Sequence, residues 1–148
     1  MDAVSLAMSE FTKMTQGKFD EIDWKLAIPF YKHMAKDIGQ QKKRIGGNFA
    51  IAQAVTSRML RDAIREEIPE CIFITLTLTR DTQKKRVVAR HGDGEEAEGI
   101  LKFLIQMYDE YELPGEGEQN CYNVDITDAM TPKDVMEKVF EVLEKNCK

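Results

Sequence analysis

Two arginines four residues apart, Arg86 and Arg90, stand just before Gly92-Asp93-Gly94. Residues at that spacing share one face of a helix, and each guanidinium carries a planar fork of N–H donors that matches a phosphate. A glycine-flanked loop beside such a pair has the make-up of a lid closing over phosphate. The same residues also have a structural reading, because cations in the last turn of a helix oppose its macrodipole. Both readings stand at this level. Asp125 closes the apolar run "CYNVDI", and the carboxyl ends of parallel strands are where open sheets gather functional groups. Bonding to nearby backbone amides is its structural alternative. Ser57 has no histidine placed to act as its base and reads as a helix cap. His33 and His91 lack companions at metal-ligand spacing, so no metal site is expected.

The elements that must position these residues follow from periodicity. Val4, Leu6, Ala7, Met8, Phe11 and Met14 recur at mostly helical spacing up to Gly17. A second helix is predicted from about Asp20 or Asp23, with Trp24, Ala27, Ile28, Tyr31, Met34, Ala35 and Ile38 on one face. It should stop near Gly39, and Pro29 should kink it or mark its first turn. "KKRIGGN" reads as a solvated turn in which Gly46 and Gly47 tolerate positive φ. Residues 48–54 form a short apolar run and are predicted as a buried strand. Ser57 or Thr56 then caps a helix that Pro69 breaks. "CIFITLTL", residues 71–78, is β-branched at most positions and gives the strongest strand signal in the chain. Helices are predicted over 81–90 and 95–111, and a third strand over 121–126. Thr131 caps a terminal helix, Pro132 takes its first position, and Val135, Val139, Val142 and Leu143 face inward. This alternation is that of an α/β domain, a three-layer parallel sheet flanked by helices, spanning 1–148 as one unit.

Composition excludes several classes of function. The chain has 148 residues, 43% of them apolar and 32% charged, enough for a soluble core. A formal charge of −5 provides no net basic field for nucleic acid, and Lys42-Lys43-Arg44 reads as a solvated run. Cys71, Cys121 and Cys147 are odd in number and widely spaced, which matches no zinc pattern and points to reduced thiols. No stretch is apolar enough to span a bilayer, and the first residues lack a signal-peptide core. The expectation is a cytoplasmic protein without membrane or nucleic-acid partners.

"FTKMTQGKFDEIDWK", "QAVTSRMLRDAIRE", "RVVARHGD" and "NVDIT" occur in the order, and at about the spacing, of gluconate kinases. The chain resembles that family, which is related to shikimate kinase among the P-loop nucleoside and sugar kinases. The likeness covers nearly the whole chain from about Glu10. Lys13, Met14 and Gly17 match a lysine, methionine and glycine of the substrate-side helical region. Asp23 and Lys25 fall near an Asp-Arg pair that holds the acceptor, with lysine as a point charge in place of the planar fork. Ala54 stands where the family has serine, and Ser57 and Arg58 where it has two lysines. Arg61, Asp62 and Arg65 agree with the family. In the lid, Arg86, Arg90 and Gly92 agree, and Asp93 replaces a histidine.

The resemblance implies a lid over about 86–111, acceptor contacts from Lys13, Lys25, Arg58 and Arg61, and phosphate contacts from Arg86 and Arg90. It also implies ATP and Mg as cofactors. Those need G-x-x-x-x-G-K-[ST], whose backbone amides and lysine cradle the phosphates. Its only Gly-Lys, Gly17-Lys18, is followed by Phe19 and has Thr12 at the earlier glycine position. The chain therefore reads as a truncated P-loop kinase-like fold whose first strand and phosphate loop are missing. As it stands it would be inactive, with ATP and Mg binding only if that segment were supplied. The alternative is a non-catalytic binding or self-association module derived from the kinase fold. Unpaired strand edges beside the lost strand argue for a homo-oligomer with strand 71–78 at its centre, and the lid arginines for a small-molecule or anion ligand.

Overall fold

The computed structural model describes residues 24–147. A 3-10 turn, Trp24–Ala27, leads into α1 (Ile28–Ile45), followed by α2 (Arg58–Glu67), β1 (Phe73–Leu78), α3 (Arg80–His91), α4 (Glu95–Asp109), β2 (Cys121–Ile126) and α5 (Pro132–Asn146). These residues form two compact units. One holds residues 24–71 and 107–114, the other 72–106 and 115–147.

The first unit is built on the packing of α1 against α2. Phe30, Tyr31, Met34 and Ala35 recur at helical spacing on α1 and are buried, as are Leu60, Ala63 and Ile64 on α2. Burying each large side chain is worth about 1.5–3 kcal/mol, so these two faces contribute strongly to the stability of the unit. The rings of Phe30 and Tyr31 meet edge to face with centroids 5.2 Å apart. Pro29 sits in the first turn of α1, where its missing N–H costs nothing. Helix α1 does not stop near Gly39; it continues to Ile45 and closes at Gly46, whose φ of 69° suits glycine. A mid-helix glycine lowers propensity by only about 1 kcal/mol, and beyond Gly39 the helix is tied down by the Lys42–Glu70 pair at 3.2 Å.

The run 48–54, predicted as a strand, forms none: Phe49 and Ile51 are exposed, and no strand among the described residues pairs with it. Its alternate positions are Ala50, Ala52 and Ala54, which bury little and are weak strand formers. What fixes the end of this segment is a side chain, since the buried Tyr31 hydroxyl donates to the carbonyl of Ala54. Two residues on, the Thr56 carbonyl accepts from the Glu112 amide at 2.7 Å.

The second unit contains a two-stranded parallel sheet, where the sequence pattern predicts three strands. Register runs from Phe73 opposite Cys121 to Leu78 opposite Ile126. Strand alternation then puts Ile74, Leu76 and Leu78 with Tyr122, Val124 and Ile126 on one face, and Thr75 and Thr77 with Asn123 and Asp125 on the other. Val124 and Ile126 are buried, whereas Asn123 and Asp125 are exposed. Thr79 ends β1 and caps α3 by accepting from the Thr82 amide at 3.2 Å. Gly92, at φ 81°, closes α3 by donating to the Val88 carbonyl at 2.8 Å. Helix α5 packs on β2 and opens with a reciprocal cap. The Thr131 hydroxyl accepts from the Asp134 amide, and the Asp134 carboxylate accepts from the Thr131 amide at 2.7 Å.

Candidate functional site

In the second unit the carboxyl ends of the parallel strands lie beside α3. Helical spacing places Thr82, Lys85 and Arg86 on one side of that helix. Lys85 pairs with Asp128, which also accepts a hydrogen bond from the Thr82 hydroxyl. Arg86 donates through Nη2 to the Thr127 carbonyl at 3.3 Å. The Lys85 ammonium, and then the Thr82 hydroxyl, hold the Asp128 carboxyl below its ordinary range. Reciprocally, the hydrogen bond to Asp128 raises Lys85. Across the strands, the Thr77 hydroxyl donates to the Asp125 carboxylate, so Asp125 is engaged by a side chain rather than a backbone amide.

Arg90 lies one turn beyond Arg86 at the end of α3. It is exposed and makes no hydrogen bond or ion pair among the described residues. The neighbouring His91 pairs through Nδ1 with Glu96 at 3.3 Å across the Gly92-Gly94 turn. Arg86 spends one donor on Thr127 of the five a guanidinium carries. Four donors of Arg86 and the whole fork of Arg90 are thus without a partner among the described residues. Away from the two arginines, on the side of α3 that carries Lys84 and Val88, a hollow of about 390 Å³ opens between α3 and α4, lined also by Ala97, Glu98, Leu101 and Lys102.

The acceptor-side residues behave differently. Lys13 lies outside the described residues, and Lys25 is exposed in the 3-10 turn. Arg58 is half exposed, with Nε 3.5 Å from Asp62, and lines a groove of about 490 Å³ together with Ile28, Lys32, Met59 and Glu66. Lys32 and Glu66 pair with each other there. Arg61 is only 1% exposed, and its Nη1 donates to the Glu112 carbonyl at 3.0 Å. It is out of reach of a ligand in solution and joins α2 to the returning segment. Sequence reasoning missed Glu112. This residue bonds Thr56 with its amide, Arg61 with its carbonyl and the Arg58 amide with its carboxylate at 2.8 Å. It thereby supplies a negative charge at the N-terminus of α2, where the macrodipole favours one.

Sequence reasoning also missed the Lys85–Asp128 pair. Its one signal was an aspartate just past the end of a strand, which says nothing about which lysine will meet it. Among the described residues, no group of three His, Cys, Asp or Glu is placed to hold a metal ion, and no helix is long and apolar enough to cross a membrane. No protein-family model matches this chain, and no curated protein or solved structure is significantly similar to it.

Proposed function

We propose that this chain is a relative of the gluconate kinase-like phosphotransferases that has kept an anion-binding lid and does not transfer phosphate as it stands. The observation that carries the reading is Arg90, a guanidinium without a partner among the described residues, one turn from Arg86 and beside the Gly92-Gly94 turn. A cation in the last turn opposes the macrodipole with or without a bonded partner, so the free fork of Arg90 is a capacity that role does not use. Phosphoryl transfer depends mainly on amides and cations arranged around the phosphates, and the 148 residues contain no G-x-x-x-x-G-K-[ST]. In this proposal ATP and Mg bind only when a phosphate loop is supplied, the acceptor would be a small sugar acid, polyol or nucleotide, and the protein works in the cytoplasm.

Two measurements test it. ADP release with Mg-ATP and a panel of gluconate, shikimate and nucleoside monophosphates should stay at background; turnover with any of them would require a different phosphate site. Inorganic phosphate or sulfate, titrated by calorimetry, should bind, and Arg90→Ala should weaken it by about 1.5–3 kcal/mol, the scale of a charged hydrogen bond. Unchanged binding in Arg86→Ala and Arg90→Ala would leave both as helix-end charges. A second reading, a non-catalytic self-association module, is favoured by the exposed apolar residues of α5.

A further inference from the structure

Helix α5 carries two apolar stripes rather than one. Val135, Val139 and Val142 are half-buried, as the packing of α5 on β2 requires. Met136, Phe140 and Leu143 follow the same i, i+4, i+7 spacing about a quarter-turn away. Leu143 is half-buried, but Met136 is 52% and Phe140 54% exposed. Large apolar side chains one turn apart at that exposure form a patch, not scattered surface residues.

The charges beside the patch say what covers it. Lys133 and Glu144 are eleven residues apart, about three helical turns, and so lie on the same flank of the Met136–Phe140 stripe. Lys133 is highly exposed, and its pairing with Glu137 is long, at 3.7 Å. Glu144 is exposed and has no partner among the described residues. The midpoint of Lys133 and Glu144 and the midpoint of Met136 and Phe140 both fall within one residue of Lys138. A two-fold axis there would bring a second α5 in antiparallel. Met136 then meets Phe140 of the other copy twice over, a sulfur–aromatic contact that is itself favourable. Residues on the same flank face each other in an antiparallel pair, so Lys133 meets the second copy's Glu144, again twice. A parallel pair would set each residue at the height of its own copy and leave Glu144 without a cation. The patch is thus complementary to itself in its apolar pair and in its end charges, as an isologous interface requires. Glu137, beside the axis on the same flank, meets its own copy, with Lys133 3.7 Å away to offset the repulsion.

We infer that α5 is a homodimerisation surface, in which two copies pair antiparallel through Met136 and Phe140 with Lys133–Glu144 ion pairs closing both ends. The inference deepens the self-association reading by naming its surface and does not depend on the phosphotransferase one. Two helices, each about 22 Å long, bury less than a standard interface, so the dimer should be micromolar rather than nanomolar.

Sedimentation of the full chain, from low micromolar to about 0.5 mM, should show a reversible monomer–dimer equilibrium, the behaviour of a small interface. Phe140→Glu should weaken it at least about 30-fold, as loss of a central aromatic anchor does. Lys133→Glu should weaken it about three- to tenfold, because each change is counted twice across the axis. The double variant Lys133→Glu with Glu144→Lys should restore the wild-type constant, which no loss of folding can imitate. Circular dichroism should show wild-type helix in every variant. A monomer at every concentration would overturn both the self-association reading and this surface. A dimer indifferent to Phe140→Glu would overturn only the surface, and failure of the charge swap to rescue would overturn the antiparallel arrangement.

Discussion

The two units use the same residue type to opposite ends. In the first, Arg61 is buried under the segment that returns at Glu112 and donates to its carbonyl. In the second, Arg90 ends its helix in solvent with no partner among the described residues. Neither sequence neighbourhood distinguishes them, since each arginine sits in a short amphipathic helix beside other charges. The difference lies in what packs over the helix. Helix α2 has α1 against it and the Glu112 strap across its N-terminal turn, whereas the last turn of α3 opens onto a glycine turn. A buried guanidinium is a structural part because removing it leaves a desolvated acceptor behind; an exposed one is available for binding because removing it costs the fold little.

Breaking the first side of that contrast should give the largest effect. Arg61→Ala leaves the Glu112 carbonyl without its donor and a cavity where a fully buried long side chain stood, so a loss of about 3–5 kcal/mol is expected in urea unfolding, followed by the fluorescence of the single tryptophan. Arg90→Ala, on the same assay, should fall within about 0.5 kcal/mol of wild type. A cost below about 1 kcal/mol for Arg61→Ala would erase the distinction between the units.

A second buried polar group sharpens the contrast through pH. Burial pushes the Tyr31 phenol up to about 12. Because the folded-state pKa is the higher one, the unfolded chain ionises first, above pH 10, while the folded chain keeps its proton. Stability from this group is therefore complete below pH 10 and declines as pH rises toward 12, by about 2–3 kcal/mol in all. The difference in unfolding free energy between wild type and Tyr31→Phe, measured from pH 8 to 12, should change by that amount; a flat difference would mean the hydroxyl is not desolvated in its bond to Ala54.

The smallest of these effects belongs to the second unit, where polar contacts lie at the surface. Thr131→Ala should cost about 1 kcal/mol at neutral pH, the usual value of an N-cap. Asp134 is held below the ordinary carboxylate range, first by the Thr131 hydroxyl and then by its amide. With the folded-state pKa depressed, that contribution is present above about pH 4 and fades as the pH falls through the folded-state value. The gap between wild type and Thr131→Ala should therefore narrow in acid, and a gap that stays constant would show that the two halves of the cap act independently.

The local features of this chain were legible in its sequence. The strands Phe73–Leu78 and Cys121–Ile126, the Ser57 cap, the Thr131-Pro132-Asp134 helix start, the positive φ of Gly46 and Gly47, and the glycine closure at Gly92 all stand where pattern and turn chemistry put them. The caps and the glycine closure depend on residues within about one helical turn of themselves, and the two strands announce themselves by their own apolar runs even though they pair with each other across a long stretch of chain. Tertiary structure alone decided that α1 runs through Gly39, that 48–54 is held by Tyr31 instead of a strand, and that Lys85 meets Asp128. It also decided the fates of Arg61 and Arg90, and left Met136 and Phe140 uncovered while the valines beside them were half-buried. Every one of these turns on a partner many residues away or on the lack of one. Periodicity tells a side chain which face of its element it occupies, but only packing determines whether that face meets protein or water.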